Sequence, residues 1–367
     1  MARRLTQQDI ARMAGVSQTT VSLVLNNRAE GAVRISPETR ERVIRVIKET
    51  GYIADPAARR LAEGRNRILG VFTYEAVFPA TSADFYHPFL VGIEECTEEA
   101  GCDLLLFTSA RASGGRRRIF DQDSRVRLAD GCLLLGHTVD REDLARLITD
   151  QIPFVSVGRR DDAGGPVPYV GADYASAAGA LVRRAVALGH RGLVYVGAGT
   201  GAESWADRHR GFLDAVTTLG VEGVMVNAVP DTDPPPGIQA GTPGVGSPLG
   251  VQGAAPDVDA VLGTGATVAF FEEQADAVAF VAAARHRISV PADLSVVTLG
   301  SATRPVRSDI DFTGFRIPRR EMGRRAVELL TGVIESGGTP QELLPCDLIE
   351  GSTLAAVTGG GPRPPAS

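Results

Sequence analysis

The spacing of apolar positions near the N-terminus predicts three short helices. The first begins after Thr6, a residue type that caps helices well, and ends at Gly15. Ser17 can cap the second helix, and Ser36 followed by Pro37 can begin the third. The apolar positions expected to face inward are Ile10, Ala11, Met13 and Ala14 in the first helix, Val21, Val24 and Leu25 in the second, and Val43, Ile44 and Ile47 in the third.

Two helices joined by a short glycine-containing turn predict a helix-turn-helix, whose second helix enters the major groove of DNA. Short hydrogen-bonding side chains face outward at the start of the second helix, and these are Gln18, Thr19, Thr20 and Ser22. Such side chains suit base edges better than a surface of lysine and glutamate would. The alternative is a three-helix bundle with a solvated polar face.

The stretch YIADPAARRLAEGR, residues 52–65, predicts one further helix of about eight residues. Asp55 can cap it, Pro56 suits its first turn, and Gly64 ends it. Because isolated helices below roughly 12 residues are marginal in water, we expect it to form only against a partner or DNA.

From residue 67 onward, short apolar strands alternate with amphipathic helices in two successive series. Continuous apolar strands of this kind are typical of parallel sheets covered on both faces, so we expect two doubly wound lobes with a ligand cleft between them. Helices are expected near 85–100, 116–128, 140–150, 175–188, 204–219 and 275–285. The expected strands are ILGVFTY, DLLLFTS, GCLLLG, PFVSVG, YVGAD, GLVYVGA, VMVNAV, DAVLG and LSVVTLG.

Charge is distributed unevenly along the 367 residues, although the net charge is only −6. Residues 1–66 hold twelve basic and seven acidic side chains, a net of +5, which leaves −11 for the rest. A basic N-terminal segment followed by an acidic remainder fits a protein of which only the N-terminal segment approaches phosphates.

The absence of a membrane span or signal peptide predicts a soluble, cytoplasmic protein. The four cysteines lack metal-ligand spacing and are expected to be buried, reduced thiols, and neither a cofactor nor a metal is predicted.

Several stretches resemble the lactose-repressor and galactose-repressor (LacI/GalR) family of bacterial transcription regulators. The resemblance is continuous in TQQDIARMAGVSQTTVSLVLN, ISPETRERVIRVIKETGYIADPAARRLAEGR and LGVFTY, and continues in VGADYASAAGALVRRAVALGHRGLVYVG and VPADLSVVTLGS. It implies an all-α helix-turn-helix headpiece and an α/β periplasmic-binding-protein-like body of two doubly wound parallel-sheet lobes. The implied domains are 1–51 for DNA binding, 52–66 for the hinge helix, 67–356 for the effector-binding and dimerisation body, and 357–367 for a disordered tail. Within the body, lobe 1 takes about 67–169 plus 317–343, and lobe 2 about 170–316 plus 344–356.

The resemblance also implies which head residues meet DNA. Gln18 and Thr19 would read base edges, and in the hinge Ala58 would lie in the minor groove while Leu61 wedges into a base step. Phosphate or neighbouring contacts would come from Thr6, Ser17, Thr20, Ser22, Asn26, Thr39, Arg40 and Tyr52. Leu23 stands where the family often has arginine, so the operator should differ. Arg28 or Arg34, in a loop longer than that of the lactose repressor, could replace the contact or simply be solvated.

For an effector in the cleft, the resemblance implies Arg208 in the pattern RHRGF, with Ser204 one helical turn before it and Tyr86 lining the pocket. Trp205 could stack on a sugar ring or simply pack, and Arg208 could instead form a structural ion pair. The remaining candidates are Asp173 and Gly300. Gly300 and Ser301 replace carboxylates usual in the family, Tyr174 replaces an asparagine, and residues 231–256 carry six prolines and six glycines that predict a flexible loop.

The leading prediction is a transcription regulator, in particular a repressor, that binds a pseudo-palindromic operator as a homodimer and responds to a sugar-like molecule. A second hypothesis keeps the DNA binding but has a degenerate pocket controlled by a protein partner or by nothing. A third is a ligand-binding protein or enzyme. The five histidines show no spacing to a nucleophile, which disfavours catalysis.

Overall fold

The computed structural model describes residues 5–25, 35–52, 65–74, 83–108, 112–113, 116–120, 124–227, 256–301 and 308–357. The chain divides into two compact units, residues 1–66 and 67–367, called here the head and the body. Most of the predicted hinge helix, of the stretch 231–256 and of the tail 357–367 lies outside the described residues, as do Asn26, Arg28, Arg34, Ala58 and Leu61. Within the described ranges, no helix is long and apolar enough to span a bilayer.

The described part of the head consists of the helices α1 (Gln7–Ala14), α2 (Gln18–Leu25) and α3 (Pro37–Thr50). A capping box begins α1: the Thr6 hydroxyl accepts a hydrogen bond from the Asp9 amide, and the Asp9 carboxylate accepts one from the Thr6 amide. Gly15 ends α1 with a φ of 63°, a conformation that glycine adopts without a steric cost.

One apolar side chain from each helix forms the centre of the head core. These are Ile10, Val21 and Val43, all fully buried, and Tyr52 packs against their cluster. Met13 is different, because it is 58% exposed and does not belong to the buried stripe predicted for α1. At 100° per residue, Met13 lies about 100° from the centre of that stripe, which is too far to reach the core.

The body contains two six-stranded sheets, whose strands lie in the orders β13-β7-β6-β5-β1-β2 and β14-β12-β11-β10-β8-β9. All neighbours are parallel except β12 and β14. The strands are β1 Ile68–Thr73, β2 Asp103–Phe107, β3 Ala112–Ser113, β4 Arg116–Arg117, β5 Gly131–Leu135, β6 Phe154–Val157, β7 Tyr169–Ala172, β8 Gly192–Val196, β9 Glu222–Val226, β10 Val268–Phe271, β11 Ser295–Thr298, β12 Thr313–Arg316, β13 Gln341–Leu344 and β14 Asp347–Ile349. The small pair β3 and β4 forms a separate antiparallel ribbon.

Helices cover the sheets of the body. They are α4 Ala83–Glu99, α5 Arg141–Thr149, α6 Tyr174–Ala187, α7 Glu203–Leu219, α8 Val258–Gly263, α9 Gln274–Ala284 and α10 Arg319–Ser336, with a short 3-10 turn at Val126–Leu128. Burial follows this layering, since all residues of the inner strands β5, β6, β10 and β11 are buried. Both faces of an inner parallel strand are covered, which explains its continuously apolar sequence.

The chain crosses between the two sheets three times. It leaves the first sheet after β7, returns after β12 through α10 to β13, and crosses again to β14. The first sheet with its helices is called lobe 1 and the second lobe 2. The predicted lobe limits at residues 169 and 343 therefore fall inside β7 and β13 rather than at their ends.

Two predicted elements of the body were wrong. The helix expected near 116–128 is absent from the described part of that range, which holds β4 and the 3-10 turn instead. The stretch DAVLG at 259–263 is not a strand but part of α8, because the Asp257 carboxylate caps a helix there by accepting from the amides of Asp259 and Ala260. The strand of this region is β10, whose residues 268–271 pair with β8 and β11. A short apolar run alone does not distinguish a strand from a buried helix.

The four cysteines are free thiols, as expected, but only Cys96 and Cys132 are fully buried, whereas Cys102 and Cys346 are half-buried.

Candidate functional site

The first candidate surface is the outer side of α2. Gln18 and Thr19, at its N-terminal end, are exposed, whereas Val21 and Val24 are buried against α1 and α3. Ser22 and Leu23, one turn further along, are half-buried. The burial of its apolar side holds α2 so that the amide and hydroxyl predicted to read bases remain accessible.

Several hydroxyls of the predicted DNA surface already have partners inside the head. The Ser17 hydroxyl accepts a hydrogen bond from the Thr20 amide at 3.1 Å and lies 2.9 Å from the Thr20 hydroxyl. The Thr39 hydroxyl similarly accepts from Ser36 at 2.9 Å, and Thr6 caps α1. These residues therefore order the helix starts, and their contact with phosphate stays a prediction.

The positively charged candidate of the head, Arg40, is half-buried in the first turns of α3. Tyr52 follows α3 and is half-buried, and its amide donates to the carbonyl of Ile47. Arg42, which the sequence did not single out, ties α3 to the end of α1 by donating from Nε to the Ala14 carbonyl at 2.8 Å. The three helices thus form one connected surface.

The second candidate site is a cavity of about 50 Å3 between the lobes. It lies beyond the carboxyl ends of β5 and β6, where the parallel-sheet rule places ligands. Of the predicted effector residues, Tyr86 and Ser204 line it. The whole lining is Phe85, Tyr86, Phe89, Leu135, Gly136, His137, Val157, Gly158, Arg159, Arg160, Tyr174, Ser204, Asp207 and Met322.

Arg208 lies behind this cavity and is almost completely buried, with 2% of its surface exposed. Its guanidinium donates to the carbonyls of Leu299, at 2.5 Å, and Ser204, at 2.9 Å. The Tyr174 ring covers it, with 4.0 Å between the ring centroid and Cζ. Among the described residues, the hydrogen-bond acceptors of Arg208 are thus backbone carbonyls rather than carboxylates.

The remaining predicted effector residues lie around Arg208 and Tyr174. Gly300 has a φ of 127°, and a Cβ there would lie 3.1 Å from Nη2 of Arg208. Asp173 uses its carboxylate to cap α6 by accepting from the Ser176 amide. Trp205 packs edge-on against His137 of lobe 1, with 4.8 Å between ring centroids, and its Nε1 donates to Glu273 at 3.4 Å.

Two arginines that the sequence interpretation did not select dominate the cleft. Arg159 and Arg160 follow β6, and they form ion pairs with Asp207 at 2.6 Å and Glu203 at 3.0 Å, both on α7 of lobe 2. The signal was present in the sequence, because two adjacent basic residues follow an apolar strand at its carboxyl end, where functional side chains of parallel sheets collect. Arg159 also pairs with Asp161, two residues further along the chain, at 2.6 Å.

Burial shifts the pKa of two groups near the cleft. Desolvation, helped by the positive charges of Arg208 and Arg160, lowers the pKa of His137 to about 4, so its ring is neutral at pH 7. Desolvation likewise raises the pKa of Glu272 above its usual range, although the amides of Ala198 and Gly199 donate to its carboxylate. Over the residues that the structure describes, histidine, cysteine and acidic side chains form no cluster of three suited to a metal ion.

Comparison with known proteins gives matches to both units. Residues 6–55 match the family of bacterial regulatory proteins of the lacI type, and residues 182–354 match the periplasmic binding protein-like domain. The transcriptional regulator CelR of Thermobifida fusca is 31% identical over 229 residues, which are 60% of this chain and 63% of CelR. The sucrose operon repressor of Klebsiella pneumoniae is 27% identical over 219 residues, with the same two coverages. The matched region thus spans slightly under two thirds of each relative.

Among solved structures, the fold resembles a lac repressor dimer bound to operator and the anti-inducer ONPF. That chain is 19% identical with a TM-score of 0.69, and the match covers 96% of this chain and 100% of that one. A complex of CelR with cellobiose is 22% identical with a TM-score of 0.57, covering 95% and 100%. At these identities the likeness establishes the fold: a helix-turn-helix unit and an α/β body of two parallel-sheet lobes, as expected from the sequence.

Proposed function

We propose that the chain belongs to the lacI family of bacterial regulatory proteins, which residues 6–55 match, and that it is a sequence-specific DNA-binding transcription regulator, acting as a repressor. The observation that carries the proposal is the exposed pair Gln18 and Thr19 at the start of α2, held outward by a core of three helices. Such a helix start reaches base edges in the major groove. A cytoplasmic location follows from this function, since operator DNA lies there.

In this proposal the other head residues orient the protein on its operator. Ser17, Thr20, Ser22, Thr39, Arg40 and Tyr52 contact phosphates or adjacent bases, as do Thr6, Asn26 and Arg34. Phosphate contacts position the protein, whereas base contacts specify the sequence. The hinge contributes Ala58 in the minor groove and Leu61 as a wedge, which bends the duplex.

We also propose that the protein binds a pseudo-palindromic operator as a homodimer. The body presents two sheet edges that support this arrangement, namely β2 and β9. Leu104 on β2 and Val224 and Met225 on β9 are large apolar side chains that are more than one third exposed. Apolar side chains along an open strand edge favour burial against a second copy.

The effector proposed for the interlobe cleft is a small, sugar-like molecule. It is supported by the position of the cavity and by the likeness of the fold to a solved complex of a transcriptional regulator CelR with cellobiose. The alternative, a degenerate pocket, is favoured by Gly300 in place of an acid and by the covering of Arg208 by Tyr174. We propose that the protein acts by binding and not by catalysis, in line with the regulators it matches.

The decisive test is binding of the full-length protein to sites found by genome-wide mapping of bound DNA. We expect Gln18→Ala and Thr19→Ala each to lower operator affinity at least tenfold, which corresponds to the loss of one good base contact, and to leave affinity for random DNA unchanged. Glu49→Ala, which truncates an exposed side chain at the other end of α3, serves as the control and should keep the discrimination. Fluorescence anisotropy measures all three. If both α2 variants discriminate as the wild type does, α2 is not the reading helix.

Isothermal titration with a panel of sugars and nucleosides tests the effector. A saturable heat that disappears in Arg208→Ala supports a ligand-gated body, whereas the absence of heat with every compound favours the degenerate pocket.

A further inference from the structure

Two adjacent arginines reach across the interlobe cleft and pair with two acids one turn apart on α7. Arg159 donates from Nε to Asp207 at 2.6 Å, and Arg160 donates from Nη1 to Glu203 at 3.0 Å. The side chains of Arg160 and Asp207 are only 5% and 4% exposed, so water and salt screen these charges far less than they screen surface pairs.

Each arginine is also anchored within its own lobe. Arg160 donates from Nη2 to the carbonyl of Gly136 at 2.6 Å, and Arg159 pairs with Asp161 at 2.6 Å. Both guanidinium groups therefore also have partners in lobe 1, at the end of β6. An arrangement held in advance loses less entropy when its partner docks.

One ring contact also crosses the cleft, at His137 of the cavity lining. Trp205 of lobe 2 packs edge-on against His137 of lobe 1, and its indole is tied to its own lobe by the hydrogen bond to Glu273. Within lobe 2, the Tyr174 ring lies over Arg208. The cavity of about 50 Å3 is much smaller than the roughly 300 to 1,000 Å3 of ordinary small-molecule pockets.

We propose that Arg159 and Arg160, paired with Asp207 and Glu203, form an ionic latch that holds the cleft closed when no ligand is bound. Removing Arg159 leaves Asp207 paired with Arg210 of its own lobe, at 2.9 Å, and removing Glu203 leaves the Arg160 guanidinium donating to backbone carbonyls of lobe 1. Either change deletes an ion pair that spans the cleft, and opening then hydrates the buried charge that has lost its partner in the other lobe. A ligand large enough to need an open cleft binds only the open fraction of molecules. The apparent association constant for any such ligand is therefore the intrinsic constant multiplied by the open fraction, which the latch decreases. This last consequence rests on the proposed function.

Trp205 makes the latch measurable, because it is the only tryptophan in the chain and lies at the cleft. The experiment is acrylamide quenching of tryptophan fluorescence in the full-length protein without ligand. We expect the quenching constant to rise at least twofold in Arg159→Gln and in Glu203→Gln. Arg159→Gln is the sharper variant, since it changes lobe 1 while the reporter lies in lobe 2.

The matched control is Arg320→Gln, which breaks an ion pair between α10 and Glu95 of α4 within lobe 1 and should leave the quenching constant unchanged. Circular dichroism identifies any variant that has lost helix. The test then rests on the quenching constant of the variant that keeps its helices. The latch is overturned if the folded variants quench like the wild type, or if the wild-type tryptophan is already as accessible as free indole. Operator binding measured on the same samples separates the two proposals, since quenching tests the latch whether or not the protein binds DNA.

Discussion

At the residue scale, burial decides the protonation of His137. Its pKa lies at about 4 in the folded body and near 6.5 in an unfolded chain, because the cleft excludes water and two arginines oppose a further positive charge. Above pH 6.5 both states are neutral and His137 contributes no pH dependence. As the pH falls from 6.5 towards 4, His137 binds a proton in the unfolded chain but stays neutral in the folded body, so the free energy of unfolding decreases.

We therefore predict that the body loses stability between pH 7 and pH 5 and that His137→Gln removes part of this loss. The full difference in pKa corresponds to about 3 kcal/mol, of which roughly 2 kcal/mol has developed by pH 5. Urea unfolding at the two pH values measures it. His190 and His209, whose pKa values burial also lowers, supply the part that remains in the variant. Identical pH dependence in wild type and variant would show that His137 titrates normally.

A second residue-scale prediction concerns the capping box of α1. Thr6→Ala removes the hydroxyl that accepts from the Asp9 amide, and we expect it to destabilise the head by about 1 kcal/mol. Thr19→Ala, which truncates the same residue type at an exposed position of α2, should leave stability within about 0.5 kcal/mol. Hydrogen exchange of the α1 amides in the full-length protein measures both. Equal protection in Thr6→Ala and wild type would contradict the role of the cap.

At the element scale, glycine allows helices of the body to approach closely. Gly211 of α7 faces Ala175 of α6, and a Cβ at this position would lie 2.6 Å from the Ala175 Cα and would also meet its carbonyl oxygen. Gly332 of α10 is also helical but has no atom within 4 Å of the position of a Cβ. The same substitution at the two sites therefore separates packing from intrinsic helix propensity.

We predict that Gly211→Ala destabilises the body by about 1 to 3 kcal/mol, because backbone atoms rather than a flexible side chain block the added methyl group. Gly332→Ala should instead stabilise it by about 0.5 to 1 kcal/mol, since alanine favours a helix interior over glycine. Urea denaturation midpoints of the two variants provide the measurement. A neutral Gly211→Ala would mean that α6 and α7 separate easily.

At the scale of the whole molecule, the chain combines a small head, for which we propose DNA reading, with a large body that contains a cleft. The proposed coupling runs through the hinge, since ligand-dependent movement of the lobes would change the separation of the two hinge helices in a dimer. Thermodynamic reciprocity then requires that an effector which weakens operator binding itself binds more weakly in the presence of operator.

For the hinge, we predict that Leu61→Ala weakens operator binding more than binding to random DNA, because an apolar wedge acts only where the duplex bends. Arg40→Ala should instead weaken both to a similar extent and flatten the salt dependence, as loss of a phosphate contact does. Titrations of both DNAs over a range of salt concentrations test the pair. Equal losses on the two DNAs for Leu61→Ala would exclude the wedge, and an unchanged salt slope for Arg40→Ala would exclude that phosphate contact.

Sequence and structure agree where a feature depends on residues a few positions apart in the chain, and they differ where it depends on contacts between distant residues. The starts of α1 and α3 were predictable because Thr6 and Ser36 bond to amides three residues away. The residues 259–263 were predicted wrongly as a strand because the three apolar residues 260–262 satisfy either periodicity. Met13 was misplaced because two turns of helix define a stripe poorly. In the cleft, the resemblance selected Tyr86 and Ser204, which line the cavity, but it did not select Arg159 and Arg160, which line it as well.

The sequence by itself determined the caps, the glycine turn after α1, the alternation of apolar strands with helices, and the basic head, since each depends on neighbours in the chain or on composition. Only the tertiary structure decided how the cleft is closed. Arg159 and Asp207 are 48 residues apart, and His137 and Trp205 also belong to different lobes. Their pairing depends on three crossings of the chain between two sheets, so no local pattern encodes it. The same crossings bury Arg208 and lower the pKa of His137, because desolvation depends on what surrounds a side chain in space.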